Sequence, residues 1–94
     1  MTTEHVMTDL KNILTEVIGA EHLFGIKLQA ETKFSEDINL DSIEYARVFE
    51  LLIHKYPEAS FVLWFSDKPL DKIMDLTLMD VSIFISNEYA RYNN

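Results

Sequence analysis

From Asp41 to Pro57 the chain carries a helix with both of its ends written in. Asp41 is a strong N-cap residue, and Glu44, three residues later, completes a capping-box pattern. Pro57 closes the segment, because a residue that precedes proline is pushed out of the helical region. Between these marks Tyr45, Val48, Phe49, Leu52 and Tyr56 recur at helical spacing, which predicts an amphipathic helix over 42–56 with that stripe in the core. A second face carries Ile43, Ala46, Arg47, Glu50 and His54. Ser42 falls in the first turn, where backbone N–H groups lack partners and a hydroxyl can point to water. The same N–H groups and the macrodipole favour an anion such as a phosphodiester.

Two further helices have clear periodicity. Val6, Leu10, Ile13, Leu14 and Val17 predict a first helix over 3–18, with Gly19 as its stop. Glu4, Lys11 and Glu16 fall off that stripe, so the helix should pack on one side rather than span a membrane. Near the C-terminus Thr77 and Asp80 form another capping pair. Leu78, Val81, Phe84, Ile85, Tyr89 and Tyr92 give the buried face of the helix they open, and the polar tail from Arg91 to Asn94 is expected to fray.

The stretches between are harder to read. Residues 19–41 form a long connection that must be functional or internally packed. Leu23, Phe24, Ile26, Leu28 and Phe34 are its expected packing residues, with a short helical turn over 21–24. The run Phe61-Val62-Leu63-Trp64-Phe65 is unbroken and β-like in composition, yet no second strand is there to pair with it. Its first reading is core filling; a wall for a bound acyl chain or a contact for a dedicated partner are the others. Ser66-Asp67-Lys68-Pro69 resembles a helix start and predicts a short helix over 67–73.

Composition excludes several classes. Sixteen acids against eight bases give a formal charge of −8, which speaks against a nucleic-acid backbone as partner and suits basic protein surfaces. No cysteine is present, so disulfides, thiolate metal sites and a cysteine nucleophile are out; a reducing cytosol fits. No stretch has the length of a membrane span, and residues 1–10 are acidic and lack the apolar run of a secretory signal. His5, His22 and His54 are scattered without metal-ligand spacing. Ser42 has no evident general base, so a hydrolase is the weakest reading. A single domain over 1–94 is expected.

The run Phe34-Ser35-Glu36-Asp37-Ile38-Asn39-Leu40-Asp41-Ser42-Ile43 resembles the modification loop of acyl carrier proteins. In that family a Phe, an acidic pair, an aliphatic residue and then Asp-Ser-Leu lead into the second helix of a small bundle. The resemblance continues through that helix and resumes at Leu76-Thr77-Leu78, so it covers most of the chain. Asn39 stands where the family usually has Gly, Ile43 replaces the usual Leu, and the segment before the last helix is longer than usual. Asn tolerates left-handed backbone angles better than most residues.

The resemblance implies an all-α fold: an acyl-carrier-like four-helix bundle with a long first loop and a short third helix. It implies that Ser42 carries 4'-phosphopantetheine, whose thiol holds acyl groups as thioesters for fatty-acid, lipid or polyketide-type synthesis. A peptidyl carrier is the neighbouring alternative. Such a protein is not an enzyme: a separate phosphopantetheinyl transferase, drawing on coenzyme A, attaches the arm, and acyl-transferring or synthase enzymes then dock on a monomer. The docking face would comprise Asp37, Asp41, Ile43, Glu44, Ala46, Arg47 and Glu50. Arg47, His54 and Lys55 make it less acidic than the family norm. From a different class, the chain could be a small acidic interaction module with Ser42 unmodified.

Overall fold

Apolar residues at helical spacing, capped ends and two prolines shape an all-α molecule. The computed structural model describes residues 2–93, with only the backbone given for 92 and 93. Among these are α1 (Thr3–Ile18), α2 (Ala20–Leu23), α3 (Ser42–Lys55), α4 (Phe61–Ser66), α5 (Leu70–Met74) and α6 (Leu78–Asn93). No strand occurs among the described residues; one isolated bridge joins Lys33 to Thr77. No helix is long and apolar enough to cross a membrane.

The three long helices lie where the sequence puts them, and their ends have the expected causes. The Thr2 hydroxyl accepts from the His5 N–H at 3.1 Å to open α1. Gly19 closes it with φ of 87°, donating its N–H to the Thr15 carbonyl at 2.8 Å. α3 stops at Lys55, one residue before the expected end, because Tyr56 before Pro57 leaves helical angles (φ −124°) while its N–H still reaches Leu52. At α6 the Thr77 N–H donates to Asp80 at 3.0 Å and the Asp80 N–H to the Thr77 hydroxyl at 3.1 Å. That reciprocal box is the one expected from the pair. α6 continues through Arg91 to Asn93, so the tail is helical where fraying was expected. Asn94 and the side chain of Tyr92 lie outside the described residues.

α1 packs against both α3 and α6. Their stripes meet in one core: Val6, Leu10 and Leu14 from α1, Val48 and Leu52 from α3, Leu78, Val81 and Ile85 from α6. The radius of gyration, 12.8 Å, matches the roughly 12 Å of a folded chain this long. Phe34, Ile38 and Leu40 bring the long connection into the same core.

The connecting segments depart from expectation in three places. The Phe61–Phe65 run is helix, not an unpaired β-like segment. Helical spacing puts Phe61, Trp64 and Phe65 on one face, where Phe61 and Phe65 lie 6.0 and 5.0 Å from the Phe49 ring and Trp64 stacks on Phe84 at 4.2 Å. Only that face fills the core; Val62 and Leu63 stay exposed. The short helix expected over 67–73 begins later, at Leu70. The Lys68 N–H is still bonded to Phe65 of α4, and Pro69, which has no N–H to contribute, serves as the N-cap whose carbonyl accepts from Lys72 and Ile73. Finally, Phe24 packs nothing and is 89% exposed. The chain turns at once through Gly25 (φ 87°), so Leu23 points inward and its neighbour outward.

Candidate functional site

The start of α3 is built from the loop before it. Phe34, Ile38 and Leu40 are buried anchors, and the Ile38 N–H and Leu40 N–H donate to the Lys33 and Phe34 carbonyls at 3.1 Å each. Asp37 closes the turn, accepting the Lys33 N–H on its carboxylate at 2.8 Å. Asn39 then takes φ of 59°, the left-handed angle that its place before the helix requires and that most side chains resist.

The loop is also tied to the chain ahead of α6. Phe34 N–H donates to the Leu76 carbonyl at 3.4 Å, and Leu78 N–H to the Thr32 carbonyl at 2.9 Å. The Ser35 hydroxyl donates to the Met74 carbonyl. From α3 itself the Tyr45 hydroxyl donates to the Ile73 carbonyl at 2.8 Å. Burial pushes the Tyr45 phenol up to about 12, so it stays a donor at any ordinary pH. The sequence marks Tyr45 as core only; nothing in it shows that the phenol would reach a carbonyl of α5. Ser42 therefore starts a helix held from two sides.

The cap itself forms as the residues dictate. Asp41 is extended (φ −78°, ψ 174°), its carboxylate accepts the Glu44 N–H at 2.7 Å, and Glu44 accepts the Asp41 N–H at 3.1 Å. That leaves the N–H groups of Ser42 and Ile43 ahead of the first full helical bond, from Tyr45 N–H to the Asp41 carbonyl at 2.9 Å. Ser42 is exposed, and its hydroxyl has no hydrogen-bond partner among the described residues. The hydroxyl thus stands in water beside N–H groups at a helix's positive end, an arrangement that favours an anion there.

The remaining expected site residues separate by role. Ile43 (79% exposed), Ala46, Arg47 and Glu50 form one outward strip on α3, below Ser42. Arg47 reaches Glu50 at 2.7 Å, so the strip's two central charges offset each other. Asp41 and Glu44 face each other's backbone in the cap, and Asp37 holds the loop; each also serves the local fold. His54 is exposed lower on the helix. Among the described residues no three His, Cys, Asp or Glu side chains cluster as a metal site would need.

No family model, no curated protein and no solved structure matches this chain.

Proposed function

We propose that the chain is an acyl-carrier-type protein that bears 4'-phosphopantetheine on Ser42. The observation that carries this reading is the exposed, unpartnered Ser42 hydroxyl in the first turn of a capped helix. The supporting context is the loop of Phe34, Ile38 and Leu40 that fixes it there, with Asn39 at the left-handed angle a family glycine would take without strain. The finer architecture in this reading is a four-helix carrier bundle of α1, α3, α5 and α6, to which α2 and α4 are additions.

Loading would proceed by attack of the Ser42 oxygen on the coenzyme A phosphorus that carries the pantetheine arm. A new phosphoester bond forms at Ser42, the pyrophosphate bond breaks, and adenosine 3',5'-bisphosphate leaves. The serine proton passes to a base of the transferase, which is why none is needed beside Ser42. The Ser42 and Ile43 N–H groups lie where a phosphodiester can be stabilised. When bound, the group supplies a thiol that holds acyl groups as thioesters, chemistry a cysteine-free chain lacks. A tether at Ser42 would let one acyl group meet several partner enzymes at high effective concentration without release.

Partner enzymes would meet the outward strip of α3, with Ile43 and Ala46 as apolar contacts and Arg47 and Glu50 beside them. The test is incubation with coenzyme A and a broad-specificity phosphopantetheinyl transferase, followed by fragmentation of the product. One phosphopantetheine located on Ser42 supports the carrier. Persistent failure across several transferases favours the second reading, an interaction module with Ser42 unmodified, for which Ile43 at 79% exposure is the favouring observation.

A further inference from the structure

α5 is held in place by other elements more than by its own packing. None of its residues is buried: Ile73 is half-buried, and Leu70, Asp71, Lys72 and Met74 are exposed. A segment with so little apolar burial opens readily unless bonds from elsewhere hold it. Here those bonds come from the two elements that flank Ser42.

Ile73 and Met74 end the helix, so their carbonyls have no donor one turn further on within it. The Ile73 carbonyl accepts the Tyr45 hydroxyl at 2.8 Å, and the Met74 carbonyl accepts the Ser35 hydroxyl. Tyr45 lies in the first turn of α3 with Ser42, and Ser35 lies in the loop before it. Two ties continue the seam: the Phe34 N–H reaches the Leu76 carbonyl at 3.4 Å, and the Lys33 ammonium lies 3.6 Å from Asp75. Consecutive carbonyls at one helix end thus hold both arms of the turn that bears Ser42. The Asp41 cap shapes that turn from within; α5 holds it from outside.

We propose, on the reading of Ser42 as the attachment point, that α5 is a clasp that positions Ser42 for modification, with Ser35 and Tyr45 as positioning residues that act through it. Both hydroxyl protons are committed to carbonyls, so neither side chain takes part in the transfer itself. Each sets the fraction of molecules in which the turn has the shape a transferase accepts. Apparent affinity falls with that fraction, while turnover of the correctly shaped complex does not change. Loss of the clasp should therefore raise KM for the protein and leave kcat alone.

The test measures phosphopantetheine transfer from coenzyme A to the full chain as wild type, Ser35→Ala, Tyr45→Phe and the double variant, at a temperature where circular dichroism shows each to be folded. KM for the protein should rise about twofold to fivefold in each single variant, one hydrogen bond being worth at most about that factor, and further in the double variant. In all of them kcat should stay at the wild-type value. Ser35→Thr, which keeps the hydroxyl, should restore KM. Tyr56→Phe, which loses a phenol bond to Asp9 at the other end of α3, should leave KM unchanged. A second readout needs no transferase. The amides of residues 40 and 45, bonded to the Phe34 and Asp41 carbonyls on either side of Ser42, should exchange with deuterium at least about fivefold faster in the double variant. Wild-type KM together with wild-type exchange in the double variant would overturn the clasp while leaving Ser42 as the attachment point. A fall in kcat alone, or an equal rise in KM for Tyr56→Phe, would overturn it as well, since general stability would then account for both hydroxyls. Failure of every transferase to load the wild type would remove the carrier reading, and this use of the clasp with it, whatever the exchange rates.

Discussion

At the residue scale the site rests on a few side chains whose roles can be separated by substitution. Asp41→Ala removes both the side-chain acceptor for Glu44 N–H and the geometry that lets Glu44 answer it. The expected cost is about 1 kcal/mol in chemical denaturation. Ser42→Ala at the neighbouring position should change stability by less than that, because the Ser42 hydroxyl has no partner among the described residues. Asn39→Gly should be neutral or stabilising, whereas Asn39→Val should be destabilised by about 1–2 kcal/mol, since φ of 59° places a branched Cβ against the backbone. Elsewhere, the Ser86 oxygen is buried in α6 without a hydrogen bond among the described residues. Ser86→Ala should therefore raise the melting temperature, as it removes an unsatisfied polar group and inserts a better helix former.

At the element scale, what was legible in the sequence were the long helices and their caps. Their signals are local: Asp41 with Glu44, Thr77 with Asp80, Gly19, Pro57, and apolar residues at helical spacing. Ser42 was legible for the same reason, since its exposure follows from its place one residue after a cap. The α4 segment was not. Five consecutive apolar residues contain no period, and whether they form strand or helix depends on Phe49 and Phe84, which are remote in sequence. The Tyr45 to Ile73 bond, across 28 positions, is equally invisible to local pattern. It makes a prediction for the α3–α5 contact. The unfolded phenol loses its proton near pH 10, while the folded one holds it to about 12. Over that window the unfolded chain binds fewer protons, so stability falls as pH rises. Burial, then the hydrogen bond to Asp9, raises the Tyr56 phenol as well and steepens the fall. Tyr45→Phe should lower stability at neutral pH yet flatten part of the alkaline decline, as read by denaturant titrations across the alkaline range.

At the scale of the whole molecule, a formal charge of −8 sits on a small core. The five ion pairs among the described residues each include at least one group that is half exposed or more, so they offset little of the repulsion. Added salt should therefore raise the melting temperature between low and physiological ionic strength, where screening shortens to about 8 Å. The same charge would speed encounter with basic partners more than it tightens the complex. Ser42 is the proposed attachment point, and paired intact masses test it most directly. Wild type and Ser42→Ala are each incubated with coenzyme A and the transferase. The prediction is a gain of one phosphopantetheine by wild type and none by the variant. Equal gain by both proteins, or no gain by a correctly folded wild type under any transferase, would contradict it.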